Sequence, residues 1–233
     1  LNTILPQSIQ FLKRLTAPRP ARLKQCLAVA CLLALTSTPL HARTITLDDR
    51  EITHMAIISP EVPLSSWVGN RSTSGVYTAN IIEMIPGRRL LIKFPLDKIP
   101  EGQRIVSAKF SFDITYAPYD SQRLFIWRML QPWGLGVNHT MRTQMPKPMP
   151  WSSPGADAPG VDRALTPTAN FRVPGVGEQV IDVTQDVELW YSGIVPNNGW
   201  VMSLDEGNQY LRLASPLYNA GPVFFLRITY EPE

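Results

Sequence analysis

Side chains of opposite character alternate residue by residue through Lys109–Tyr116, with Phe110, Phe112, Ile114 and Tyr116 on one side and Lys109, Ser111, Asp113 and Thr115 on the other. A two-residue period belongs to an extended chain with one buried face, so this stretch reads as a half-buried strand. The period recurs. Leu90, Ile92 and Phe94 alternate with Leu91 and Lys93, Leu211 and Leu213 flank Arg212, and Trp200, Met202 and Leu204 form a similar set. Phe224, Leu226, Ile228 and Tyr230 alternate with Phe225, Arg227 and Thr229. Shorter candidates are 44–47, 55–58, 76–84, 124–130 and 179–183. Many short strands separated by Gly, Pro and Asn turns predict an all-β sandwich or barrel.

One stretch breaks the pattern. Thr184-Gln185-Asp186-Val187-Glu188-Leu189-Trp190-Tyr191-Ser192-Gly193 reads as a short helix over 184–192. Thr184 suits its start, Asp186 and Glu188 suit its positive end, and Gly193 suits its stop. Val183, Val187 and Trp190 then share a face, with Trp190 as a core plug. Residues 131–178 differ again, carrying eight prolines from Pro132 to Pro174 and many glycines, and no strand of any length is expected there. So long an irregular segment in a compact domain is a first place to seek a site.

Residues 1–42 contain no acid, and Lys13, Arg14, Arg19, Arg22 and Lys24 precede a short apolar run, Cys26–Leu35, and a small, polar exit ending at Ala42. That order predicts a secretory signal peptide over 1–42, followed by a single domain over 43–233. The apolar run is about half of the roughly 20 residues that cross a bilayer, so no membrane span is expected after cleavage. Five of the 22 Lys+Arg lie in the leader, which leaves 17 against 19 Asp+Glu and a net charge of −2 for the rest. The basic balance of the whole chain therefore belongs to the leader and is no nucleic-acid signature. Both cysteines, Cys26 and Cys31, also lie there.

Catalytic constellations are scarce beyond Ala42. The imidazoles are His54 and His139, no Gly-x-Ser-x-Gly elbow occurs, and no histidine pair has metal-binding helical spacing. Asp157-Ala158-Pro159-Gly160-Val161-Asp162 could supply carboxylate oxygens to a structural calcium through Asp157 and Asp162, or form a solvated turn. Asp182, just before the helix, is expected to hold backbone N–H groups. Candidate stacking surfaces for a sugar ring are Trp67, Trp127, Trp133, Trp151, Trp190 and Trp200, with Tyr116, Tyr119 and Tyr191 behind them. Trp190 and Trp200 sit on apolar patterns and read as core. Trp151, between Pro150 and Ser152-Ser153, has no packing pattern and reads as the exposed one. Lys93, Lys109, Arg212 and Arg227 each oppose the apolar parity of their own strands. If their strands neighbour one another, they make a basic stripe on one sheet face, suited to the carboxylate or sulfate groups of an acidic polysaccharide. The alternative is protection of the sheet against edge pairing.

Four features stand in a fixed order: Leu90-Leu91-Ile92-Lys93-Phe94-Pro95-Leu96 with Ile99-Pro100-Glu101-Gly102, then Val106–Phe112, then Gln131-Pro132-Trp133, then Ile181-Asp182-Val183-Thr184 with Trp190, Gly193, Asn198 and Gly199. With Arg227-Ile228-Thr229-Tyr230 at the end, the chain over roughly 50–231 resembles the DNRLRE, or disaggregatase-related, domains, which are similar to family-96 carbohydrate-binding modules. It departs from them where Asn198-Gly199 lacks an aromatic, at Ala214-Ser215-Pro216, and at Gly134–Thr140. The resemblance implies a jelly-roll β-sandwich in a secreted protein that adheres to, or binds, polysaccharide without chemistry. The expectation is thus a secreted, non-catalytic binding module whose partner is a polysaccharide or cell-envelope component, with Lys93, Lys109, Arg212, Arg227 and Trp151 as its contacts. A structural or adhesive envelope protein is the runner-up. A carbohydrate-cleaving enzyme, with Tyr119 or His139 as acid and base, lacks a recognisable carboxylate pair.

Overall fold

The computed structural model describes residues 41–66, 81–119, 122–205, 209–216 and 221–233. Residues 1–40 of the expected leader, and Trp67, lie outside the described residues. His41–Glu233 form one compact unit.

The strands, in chain order, are β1 Arg43–Asp48, β2 His54–Ile58, β3 Ile82–Met84, β4 Arg89–Lys93, β5 Gln103–Tyr116, β6 Arg123–Arg128 and β7 Met141–Thr143. They continue with β8 Met149–Pro150, β9 Ala169–Arg172, β10 Gly177–Asp182, β11 Trp200–Leu204, β12 Leu211–Leu213 and β13 Phe224–Pro232. Two antiparallel sheets pack as a sandwich. Sheet A runs β1-β13-β5-β12-β3, with β10 on the other edge of β5, and sheet B runs β2-β4-β11-β6-β9. Strand β9 corrects the expectation that 131–178 holds no strand. It pairs with β6 from Ala169↔Ile126 to Arg172↔Arg123, a match that its own sequence does not announce.

The alternating residues build the core between the sheets. Phe112 faces Phe224 and Phe110 faces Leu226 across β5 and β13, with Ala108 opposite Ile228. Phe110, Phe112, Leu226 and Ile228 are buried together, as their parity predicts. The Phe110 ring sits at the centre, stacked on Trp200 of the facing sheet at 5.6 Å and on Phe224 at 6.3 Å, with Phe94 edge-on at 6.1 Å. Helix α1, Thr184–Tyr191, closes this core with Val187 and Trp190 buried and Trp190 against Trp200 at 4.6 Å. Gly193 follows in the left-handed region at φ 71°, where a stop is cheapest. The start differs from expectation. Thr184 is the first helical residue, and the Asp182 carboxylate accepts from its N–H at 2.9 Å and its hydroxyl at 2.7 Å.

Strand β5 departs from strict alternation near both ends. Residues Thr229 and Tyr230 face Ser107 and Ile105, and Arg212 and Leu213 face Tyr116 and Ile114, so Val106 and Thr115 are each one residue too many for the partner strand. Each bulge turns the residues beyond it to the other face. Tyr116, expected in the core beside Ile114, is therefore 45% exposed on the outside of sheet A.

Sheet B is apolar on both faces. Met55, Ile57, Leu90, Ile92, Ile126 and Met202 enter the central core, whereas Ala56, Ile58, Leu91 and Val201 point away from it. Leu91 was expected outside with Lys93, yet it is 0% exposed. The 131–163 segment lies over it and supplies Trp133, Val137, Trp151 and Ala156 to a second core. Its fixings are polar and specific. The indole N–H of Trp133 donates to Asn198 O at 2.7 Å, and that of Trp151 to Asn138 O at 2.9 Å. Asp162, 0% exposed, accepts from Ser152 N at 3.0 Å, Ser153 N at 2.9 Å and Ala158 N at 3.2 Å. Gly199, at φ 73°, lets the chain pass beside β4, since a Cβ there would lie 2.2 Å from Ile92 O.

Phe112→Ala should lower unfolding stability by about 3–5 kcal/mol, the range for truncating a buried aromatic, with chemical denaturation as the measurement. Asp162→Ala should cost about 3 kcal/mol, because it strands three N–H groups. Asp157→Ala should cost about 1 kcal/mol or less, since its ion pairs are part-exposed. Equal losses from the two aspartates would refute the anchoring role of Asp162.

Candidate functional site

Three of the four predicted cations share the outer face of sheet A. Thr46, Arg227, Lys109 and Asp182 are successive cross-strand partners over β1, β13, β5 and β10. Lys109 Nζ reaches Asp182 Oδ2 at 2.6 Å, and that bond, with those from Thr184, pulls the Asp182 carboxyl down to about 2. Arg227 is exposed, with no ion pair among the described residues. Arg212 lies further along the same face, on β12. Lys93 is the correction. It belongs to β4 in the other sheet, beside His54, where burial lowers its pKa. Parity decides whether a side chain points in or out and says nothing about which sheet carries it, so four outward cations do not make one stripe.

Two further expectations are overturned. Trp151 is 4% exposed inside the second core, so neither ring face is open to a sugar. Asp157 and Asp162 do not fit a calcium ion. The N–H groups of Ser152, Ser153 and Ala158 occupy Asp162, and Asp157 pairs with Arg89 at 2.8 Å and Arg163 at 3.2 Å. Among the described residues no group of three or more His, Cys, Asp or Glu could hold a metal ion. Trp127 is half-buried, but Phe125 stacks on it at 5.2 Å and Arg163 lies 4.3 Å from its centroid. Trp133, Trp190 and Trp200 are buried. Tyr191 is tied down, its hydroxyl donating to Pro100 O at 2.5 Å and accepting from Gln103 N at 3.0 Å.

A cluster of partly exposed aromatic and charged groups lies at the end of the sandwich where β5 leads into β6. There the bulge at Thr115 sets Tyr116 opposite Arg212 on the outer face. The Arg212 guanidinium lies 5.4 Å from the centroids of both Tyr116 and Tyr210, whose rings meet edge-on at 5.7 Å. Glu83 on β3, the cross-strand partner of Arg212, completes the group. Its Oε1 accepts from the Tyr210 hydroxyl at 2.6 Å and from Arg212 Nε and Nη2 at 3.3 Å each. The Tyr210 hydroxyl in turn accepts from Arg212 Nε at 2.6 Å. Beneath, buried Gln122 accepts from Tyr210 N at 2.9 Å and donates to Tyr119 O at 3.1 Å, which fixes that loop end. Tyr119 is 41% exposed.

The electrostatics follow from these bonds. The Tyr210 hydroxyl and Arg212 hold the Glu83 carboxyl below its ordinary range, whereas burial and Glu83 raise the Tyr210 phenol. Both shifts lead away from neutrality, which suits a fixed hydrogen-bonding surface better than proton transfer. Of these four residues, Arg212 and Tyr116 are candidates on the sequence alone. Tyr210 was within reach, because it shares the parity of Arg212 two residues on. Glu83 was not, since only the strand order sets β3 beside β12.

The imidazoles lie elsewhere. His54 packs edge-on to Trp133 at 5.6 Å, and His139 lies in the covering segment near Arg89. The Nδ1 atoms of both are buried, with no hydrogen-bond partner among the described residues. Burial first, then Lys93 for His54 and Arg89 for His139, lowers both pKa values below 6.5. The unfolded chain therefore takes up protons below about pH 6.5 that the folded chain resists. Stability should fall as pH drops from about 7 to 5. His54→Gln with His139→Gln should flatten that slope in urea titrations, and an unaltered slope would contradict the assignment.

No protein-family model matches the chain, and comparison with the curated proteins gives no match. No helix among the described residues is long and apolar enough to cross a membrane.

Proposed function

We propose that this chain is an exported, non-catalytic module that attaches to a polysaccharide, an acidic one, through the Tyr116–Tyr210–Arg212–Glu83 surface. The observation that carries the reading is Arg212 held against two tyrosine rings with Glu83 as its counter-charge. Such a group is rigid, partly apolar and edged with hydrogen-bonding atoms, the combination that a sugar ring and its hydroxyls require. Arg227 on the same face, beside a Lys109 that Asp182 neutralises, adds positive charge along the path of a chain that carries carboxylates. Export rests on the basic, then apolar, then small-residue order of residues 1–42.

A structural or adhesive role is the second reading. It is favoured by β10, an edge strand whose Val180 is 57% exposed beside Val176 at 68%, which offers an apolar margin for another chain.

Titration of the protein with alginate and with a neutral polysaccharide at two salt concentrations separates the readings. Tyr116→Ala and Arg212→Ala should each weaken alginate binding by about tenfold, equivalent to about 1.4 kcal/mol. Binding should also weaken as salt rises from about 0.1 to 1 M, over which the screening length shortens from about 10 to 3 Å. Unchanged affinity in both variants would discard this surface, and no binding to any glycan would favour the adhesive role.

A further inference from the structure

Strand β6 starts beside the tyrosine surface and ends, at Arg128, on the opposite end of the sandwich. There a cavity of about 310 Å³ opens between residues 164–168 and the first turn of α1. Arg128, Leu165, Thr168, Gln185, Asp186 and Leu189 are among its walls. Arg128 and Asp186 form an ion pair, Nε to Oδ1 at 3.1 Å, with side chains only 18% and 9% exposed. Asp186 Oδ2 accepts from Trp200 Nε1 at 2.8 Å and from the Thr168 hydroxyl at 2.6 Å. The carboxylate thereby accepts two hydrogen bonds on one oxygen and meets the Arg128 charge on the other.

The guanidinium is in the opposite condition. Its Nε side faces Asp186, and the N–H groups on Nη1 and Nη2 have no acceptor among the described residues. These donors line the cavity, and the planar fork of an arginine matches both oxygens of a carboxylate. We propose that this cavity is a carboxylate subsite that takes one uronate residue of an acidic polysaccharide, its carboxylate on the Nη1/Nη2 fork of Arg128.

The subsite rests on the glycan-attachment reading above and names the sugar class. Asp186 does not exclude the ligand, because it occupies the Nε side of the guanidinium and its other oxygen is taken by Trp200 and Thr168. The first-turn residues Gln185 and Asp186 add the positive end of α1 to the same walls. Leu165 and Leu189 offer apolar surface to the C–H groups of a ring. About 310 Å³ is at the lower limit of small-molecule sites, which fits one sugar better than several.

The test is amide and indole NMR of the full chain with sodium glucuronate, using glucose and the uncharged methyl ester of glucuronate as controls. Glucuronate should shift the Trp200 indole and Gln185 amide resonances, and both controls should bind at least tenfold more weakly. Leu165→Trp, which fills the mouth from an exposed position and leaves the ion pair intact, should weaken glucuronate by at least tenfold. Arg128→Met with Asp186→Asn, which removes the fork and its counter-charge together, should do the same, whereas Tyr116→Ala should leave the shifts in place. Unmoved resonances, equal binding of glucose, or full affinity in Leu165→Trp would overturn the subsite. Alginate binding alongside unmoved resonances refutes the subsite and leaves the attachment reading standing. Glucuronate shifts that depend on Arg128, without binding of any polymer, establish the carboxylate site and refute attachment.

Discussion

Sheet B has apolar side chains on both faces, and that one constraint organises the rest of the molecule. A sheet with one solvated face needs a single core, but Ala56, Ile58, Leu91 and Val201 point away from the sandwich and need a cover of their own. The 131–163 segment is that cover. Its prolines and glycines give little regular hydrogen bonding, so its backbone is satisfied piecemeal by Asn138, Asp162 and the hairpin of β7 and β8. A long irregular stretch that resembles a mobile binding loop is thereby part of the core.

The same logic explains the buried acids. Asp49 receives the N–H groups of Val223 and Phe224 at 2.7 Å each, Asp162 receives three from its own loop, and Asp186 receives Arg128, Thr168 and Trp200. An ionised carboxylate leaves water at tolerable cost only when donors surround it. Each of these residues therefore joins pieces of chain that strand pairing leaves apart. Asp49 ties the turn after β1 to the start of β13, and Asp186 ties α1 to both β6 and β11.

Outside these fixings, two places carry the candidate sites. The tyrosine surface depends on a single extra residue, Thr115, which moves Tyr116 from the core face to the outer face and opposite Arg212. At the other end, Asp186 takes one edge of the Arg128 guanidinium and leaves the remainder to the cavity. The two ends differ in kind. One is an open aromatic surface with its charges paired, and the other is a small recess of about 310 Å³.

By itself the sequence determined the all-β class, the short helix and most of the central core, because these follow from local periodicity. Phe110, Phe112, Leu226 and Ile228 are buried whichever strands adjoin them, and Val187 and Trp190 share a helical face in any context. It determined equally that Arg212 and Arg227 point outward. Tertiary structure decided what depends on neighbours distant in sequence. It set Lys93 in the other sheet and Glu83 beside Arg212, it drew Trp151 beneath a cover, and it turned Asp162 from a candidate metal ligand into an anchor for three N–H groups. Periodicity reports the direction in which a side chain leaves its strand. What it meets there is fixed by strand order, by bulges and by the packing of the segment between strands, none of which has a period.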